Sequence, residues 1–144
     1  MQNLFVVLAG IILGPIRGTA AVGLFLLAGI FGAPVFAGFT GGITHLAGPT
    51  GGYLAGYVLA AFTAGLIAGQ NGISTIRIII AAAAGFLIIY LPGIIWLKII
   101  TNMNWDRAVL AGMLPFLPGD IVKGAAAVLI AKKVKNTILD HLNE

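Results

Sequence analysis

Two ionisable residues near the end of the sequence, Asp120 and Lys123, are the side chains best suited to do chemistry. They stand three positions apart in a predicted helix, so they share one helix face. An ionisable pair in an apolar membrane segment indicates a site for a small polar ligand, because it offers both acceptors and donors. An alternative stays open: Asp120 is a first-turn acid favoured by the helix dipole, and Lys123 extends its charge to the membrane surface.

A glycine-rich segment at 48–53, with the sequence GPTGGY, is the second candidate. Its glycines permit positive φ angles and let backbone amides approach a ligand closely, and Thr50 and Tyr53 add hydroxyl groups. The same residues suit a tight turn into a helix, with Gly52 and Gly56 allowing close helix packing. A binding role for this segment is better supported if it lies on the same side of the membrane as Asp120 and Lys123.

The evidence for a functional role is weaker at three other aromatic side chains, Tyr90, Trp96 and His45. Tyr90 and Trp96 flank Pro92-Gly93 in a long apolar segment. Tyr90 can point its hydroxyl into a cavity, whereas anchoring at the membrane interface is the ordinary role of Trp96. His45 is a lone loop histidine with no cysteine or carboxylate at metal-ligand spacing, so we predict no metal site.

The composition indicates which elements must position these residues. Of 144 residues, 60% are hydrophobic and only 8% are charged, against about 25% charged in an average soluble domain. So few charges cannot cover the surface of a soluble globule, and disorder requires low hydrophobicity with high charge. Continuous apolar runs favour helices over barrel strands. We therefore predict an all-α integral membrane protein, a compact bundle forming one substrate-binding domain over residues 1–144.

Glycine, proline and the few charges divide the chain into about five spans of roughly 20 residues or fewer. The predicted spans are 1–13, 19–33, 53–69, 77 to about 98, and 118 to about 134. Residues 14–18 and 70–72 are predicted as turns, 34–52 as a long irregular loop over the pocket, and 108–114 as a short helical turn. Pro92-Gly93 predicts a kink in the fourth span.

The basic residues predict the orientation of the bundle. One side of a five-span bundle receives Arg17, Arg77, Lys132, Lys133 and Lys135, and the other receives Lys98 and Arg107 with Asp106 and His45. The C-terminus is therefore expected to be cytoplasmic. The loop at 34–52 and the start of the last helix then both face outward.

The sequence offers no catalytic constellation and no phosphate-binding loop. Because it lacks an ATP site, any active transport takes its energy from another subunit or from an ion gradient. No basic run interleaves with aromatic residues, so nucleic acid is not an expected partner. We predict that the protein is not an enzyme and carries no cofactor.

Two segments of the chain resemble the BioY family, namely 35–57 with GPTGGY at 48–53 and 114–123 with the sequence LPFLPGDIVK. The segments at 4–15 and 90–97 are also similar, in the same order. BioY proteins are the high-affinity biotin-binding S-components of energy-coupling factor (ECF) transporters. The family has six spans, and this chain starts at what resembles the second, so the first helix is expected to be absent. Five spans place the N-terminus outside.

The resemblance implies biotin transport, a vitamin-uptake function, in a bacterial or archaeal cell membrane. It implies as partners membrane lipid, a transmembrane coupling protein and two ATPase subunits. It also implies biotin contacts from these residues: Asp120, Lys123, Gly48, Thr50, Gly51, Gly52 and Tyr53, to which we add Tyr90. We expect Asp120 to accept from ureido N–H groups and Lys123 to donate to an oxygen.

Two other functions stay open from the residues alone. The chain could transport biotin or another small solute by itself. It could instead be a structural membrane subunit that binds no ligand, although this leaves the shared face of Asp120 and Lys123 unexplained.

Overall fold

The computed structural model describes residues 1–69 and 74–142, with side chains described up to 137 outside that gap. The turn predicted at 70–72 lies outside the described residues. Six helices follow one another in this part of the chain: α1 (Gln2–Ile30), α2 (Thr44–Ala47), α3 (Gly51–Ala68), α4 (Thr75–Thr101), α5 (Trp105–Gly112) and α6 (Leu117–Leu142).

Helix α1 is broken at Gly14, whose φ of 82° and ψ of 177° are not helical. The chain doubles back at this point, because a Cβ on Gly18 would lie 2.6 Å from the carbonyl oxygen of Ala9. Those two residues would be about 13.5 Å apart along a straight helix. The predicted division into two apolar segments is confirmed. The prediction of a turn over 14–18 is wrong beyond Gly14, because Pro15 is tolerated in the first turn of the second segment.

Helix α3 lies at the centre of the bundle and packs most extensively against α1 and α4. Small residues let the backbones approach closely at these interfaces, as in many membrane proteins. A Cβ on Gly10 of α1 would overlap the carbonyl oxygen of Ala61, and one on Gly56 of α3 would lie 2.9 Å from the oxygen of Ile89. The GxxxG spacing in this chain therefore serves packing between its own helices.

The described helices form a membrane bundle. Three of them, α1, α3 and α4, are long and apolar enough to cross a membrane, and α5 forms a fourth candidate span with 117–137 of α6, bent by 51°. Counting the two segments of α1 separately gives five. Large apolar side chains are exposed around the outside, including Ile16 at 78%, and lipid is the environment in which such a surface is stable.

Several helix boundaries differ from the sequence prediction. The loop at 34–52 contains the short helix α2, and α3 begins at Gly51 inside it. Helix α4 runs from Thr75 to Thr101 with Pro92 inside it, so it begins two residues before the predicted span and ends three residues after it. Helix α6 extends to Leu142, eight residues beyond the predicted end, because its polar residues continue a helix outside the apolar span.

The two ends of the bundle differ in charge. At one end, Gly65 of α3 contacts the Gly14 reversal, and Lys135 of α6 donates a hydrogen bond to the carbonyl oxygen of Gly69 at 2.7 Å. Arg77 also approaches Gly69. This end therefore gathers basic residues from two helices, α4 and α6. The loop at 34–50 and the start of α6 lie together at the opposite end, where they enclose a cavity.

Candidate functional site

A cavity of about 520 Å³ lies at the loop end of the bundle. The start of α1, the loop at 36–50 and helices α3 to α6 all contribute to its wall. Its size is within the range of about 300–1,000 Å³ that is usual for small-molecule sites. Its polar lining residues are Gln2, Asn3, His45, Thr50, Tyr53, Tyr57, Tyr90, Asp120 and Lys123. Its other lining residues are Met1, Phe36, Ala37, Pro49, Leu54, Leu97, Ala111, Gly112 and Phe116.

Asp120 is a buried acid in the wall of this cavity, with only 4% of its surface exposed. Lys123 Nζ lies 2.7 Å from its Oδ1 atom, which confirms that the two residues share a helix face. Its Oδ2 atom accepts hydrogen bonds from Tyr90 Oη and, at 3.1 Å, from Asn3 Nδ2. Three donors from α1, α4 and α6 therefore hold the carboxylate in one orientation and compensate for its burial.

A second hydrogen-bonded layer fixes Asn3. Tyr57 of α3 donates from its hydroxyl to Asn3 Oδ1 at 3.0 Å and approaches Gln2 Oε1 at 3.4 Å. The carboxylate of Asp120 is thus linked to four helices of the bundle. Sequence analysis missed Gln2, Asn3 and Tyr57. The sequence held one signal for them. The amide side chains of Gln2 and Asn3 directly precede an apolar run, and Tyr57 lies in a helix that begins at the same end of the bundle.

Tyr53 and Tyr90 pack edge to face in the wall of the cavity, with 6.4 Å between ring centroids. The Tyr53 hydroxyl donates to the carbonyl oxygen of Gly112 at 2.7 Å, which ties α3 to α5. Gly93 makes room for the Tyr53 ring, because a Cβ there would overlap it. Both predicted tyrosines therefore line the cavity, and the hydroxyl of each donates a hydrogen bond that positions another helix.

The GPTGGY segment is fixed to α4 by Trp96. The Trp96 Nε1–H group donates to the carbonyl oxygen of Gly48 at 2.9 Å, and a Cβ on Gly52 would overlap Trp96 Cβ. The expectation that positive φ explains these glycines is wrong. Gly48 has a φ of −82°, and Gly51 and Gly52 are helical residues that need the space. Thr50 lines the cavity, whereas the three glycines are not among the lining residues.

Phe36 anchors the preceding part of the loop. Its buried ring packs against Gly29 of α1 and meets the rings of Phe25 and His45 edge to face, at 5.8 and 5.5 Å. The Thr50 hydroxyl donates to the carbonyl oxygen of His45 at 3.2 Å. The loop therefore covers the cavity as a packed element of the bundle, with one aromatic anchor on each side.

A second cavity, of about 700 Å³, lies between the two segments of α1 and residues 34–39. None of the described residues that line it has a charged side chain. Although it is larger, it lacks the convergent polar groups that orient a polar ligand. The cavity around Asp120 is therefore the better candidate site.

Known proteins that are similar to this chain include biotin transporters and a biotin S-component. A probable biotin transporter BioY from Pyrococcus horikoshii is 43% identical over 94% of this chain and 78% of its own length. The biotin transporter BioY of Thermotoga maritima is 40% identical over 94% of this chain and 79% of its own. The crystal structure of the S-component for biotin from an ECF-type ABC transporter matches with a TM-score of 0.83 at 30% identity, covering 94% of this chain and 74% of that one.

The match to the family model is nearly as long as the chain, running over residues 1–140. The fold predicted from the sequence, a helical membrane bundle of the S-component kind, is confirmed by the structural match. On these grounds the chain is a multi-pass membrane protein that belongs to the BioY family.

Proposed function

We propose that this chain is the membrane subunit that captures biotin for an ECF-type transporter. The observation that carries the proposal is a buried carboxylate, Asp120, held by three donors in a cavity under the GPTGGY loop of a BioY-family bundle. A site built in this way suits binding and release.

The hydrogen-bond capacity of the pair matches the ureido group of biotin. A carboxylate has about four acceptor positions, and Asp120 uses three of them within the protein. The remaining position, on Oδ1, accepts one ureido N–H. Lys123 has three N–H donors and uses one on Asp120, so it donates another to the ureido carbonyl oxygen.

The rest of the cavity suits the apolar parts of biotin. The sulfur-containing ring packs against the Tyr53 and Tyr90 rings, and the alkyl chain follows the apolar wall near Leu97 and Phe116. Thr50 offers a hydroxyl at the loop side. The three glycines act indirectly. Gly51 and Gly52 leave room for the Leu46 carbonyl oxygen and for Trp96, and the carbonyl oxygen of Gly48 accepts the hydrogen bond from Trp96.

The arrangement of charges supports an orientation for the bundle. The end that gathers Arg77 and Lys135 is the cytoplasmic one under the positive-inside rule, which also places the C-terminus in the cytoplasm. The cavity then opens outward in a bacterial or archaeal cell membrane. A transmembrane coupling protein and two ATPase subunits supply the energy from the other side, while lipid surrounds the bundle.

Isothermal calorimetry of the detergent-purified chain with biotin tests this proposal. We expect saturable binding at one site. Asp120→Asn should weaken it about tenfold to a hundredfold, since a hydrogen bond to a charged group contributes about 1.5–3 kcal/mol. Asp106→Asn is the matched control, because Asp106 is an exposed acid at the start of α5. Absence of binding by the wild-type chain, or equal binding by Asp120→Asn, would contradict the proposal.

A further inference from the structure

His45 lines the cavity around Asp120 and has no part in the ureido contacts. It is half-buried in α2, its ring is packed edge to face on the buried ring of Phe36, and its backbone is fixed at both ends. Its backbone N–H donates to the carbonyl oxygen of Gly42 at 3.2 Å, and its own carbonyl oxygen accepts from Thr50 at 3.2 Å. The imidazole is therefore held at the loop side of the cavity by packing and by backbone hydrogen bonds.

The charges and hydrogen-bond donors around the cavity leave one side chain available to a ligand. Among the described residues that line it, the ionisable side chains are Asp120, Lys123, His45, Tyr53, Tyr57 and Tyr90. Asp120 and Lys123 neutralise each other across 2.7 Å, and tyrosine hydroxyls are neutral donors at physiological pH. Described hydrogen bonds to protein oxygens already use the hydroxyls of Thr50 and of the three tyrosines, and one N–H each of Gln2 and Asn3. In this lining set, the His45 imidazole is thus the ring donor whose N–H is not used by a described side-chain hydrogen bond.

Biotin carries a negative charge on its carboxylate, and the ureido contacts do not neutralise that charge. Its carboxylate sits at the far end of the alkyl chain from the ureido ring. With the ring on Asp120 and Lys123, the carboxylate extends toward another part of the cavity wall. Enclosing an anion without a donor is costly, and a charge-assisted hydrogen bond from an imidazole N–H to the carboxylate offsets that cost.

We propose that His45 binds the carboxylate of the ligand and makes the site prefer the free acid over neutral amides of the same ring system. This inference rests on the proposed function, because it takes biotin as the ligand. It adds a specificity-determining residue, because an imidazole N–H makes a stronger hydrogen bond to an ionised carboxylate than to the oxygen of a neutral amide.

Calorimetry with two ligands and two proteins tests this role. Biotin and biotinamide are titrated into the wild-type chain and into His45→Phe at about pH 7.5, where a carboxylic acid with an ordinary titration range is ionised. Phenylalanine keeps a ring that can pack on Phe36 but has no hydrogen-bond donor. Any charge on the amino group of Met1, which also lines the cavity, is the same in both proteins.

We expect the wild-type chain to prefer biotin over biotinamide by about three- to tenfold. The preference should be absent in His45→Phe. Equal loss of affinity for both ligands in His45→Phe would overturn the inference, since it would mark His45 as a packing residue only. Equal affinity of the wild-type chain for both ligands would overturn it while leaving the proposed function intact. Failure of the wild-type chain to bind either ligand would refute both.

Discussion

Removing the ammonium group of Lys123 while keeping Asp120 should destabilise the protein. The substitution Lys123→Met keeps an unbranched apolar side chain but leaves a carboxylate that is only 4% exposed without its cationic partner. Breaking a buried ion pair in this way costs about 3–5 kcal/mol. Lys123 is itself 24% exposed, and the carboxylate retains its hydrogen bonds from Tyr90 and Asn3. We therefore expect a smaller loss, of about 2 kcal/mol.

A double variant separates this electrostatic cost from lost packing. In Asp120→Asn/Lys123→Met the uncompensated charge is gone, while the amide carbonyl oxygen introduced at position 120 can still accept from Tyr90. Replacing a buried ion pair by neutral groups is often close to neutral for stability. We expect the double variant to lie within about 1 kcal/mol of wild type, and thus to be more stable than the single variant.

Thermal unfolding in one detergent at one scan rate measures both effects, because membrane proteins often unfold irreversibly and their apparent Tm then depends on scan rate. A loss of about 2 kcal/mol corresponds to about 6 °C for a chain of this length. The single variant should fall by about that amount and the double variant by about 3 °C or less. Equal falls in both would refute the reasoning, since they would assign the loss to the stem of Lys123 and not to the charge of Asp120.

Four further outcomes follow. Gly52→Ala should destabilise the protein by about 1–3 kcal/mol through overpacking against Trp96. Gly23→Ala should not, because a Cβ at Gly23 would have nothing within 4 Å. Equal thermal unfolding of the two variants would contradict this packing. Trp96→Phe, which loses the hydrogen bond to Gly48, should speed biotin release about threefold to tenfold in stopped-flow assays, and an unchanged rate would mean that the loop is held by packing alone. Because the sequence has no cysteine, a single Thr137→Cys should be labelled only from the cytoplasmic side, and labelling from outside would invert the proposed orientation. Biotin uptake should require the coupling subunits, so undiminished uptake in cells lacking them would favour a stand-alone transporter.

The sequence predicted the class of fold because the strongest signals were compositional. Long apolar runs and scarce charges require helices in a membrane, and Gly14-Pro15 marked the reversal inside α1. The end of α6 was missed for a physical reason. Hydropathy shows where an apolar span ends, but a helix continues into water wherever its polar residues still favour helical backbone, as 135–142 do.

The candidate site was predicted in part. Asp120 and Lys123 could be paired from their spacing alone, because contacts within one helix turn are local. Asn3 lies 117 positions from Asp120 in the sequence, and no local pattern predicts such a contact. The glycines at 48–52 carried an ambiguous signal, since glycine serves backbone conformation and close packing equally. The close approach of the Leu46 carbonyl oxygen to Gly51 and of Trp96 to Gly52 shows that packing is the reason for these two glycines.

A structure of the purified chain with biotin bound tests the central claim most directly, because the fold offers two cavities of different chemistry. We predict the ureido ring within hydrogen-bonding distance of Asp120 and Lys123 in the cavity of about 520 Å³, beneath the GPTGGY loop. Biotin in the apolar cavity of about 700 Å³ between the two segments of α1, with the Asp120 site empty, would contradict the account.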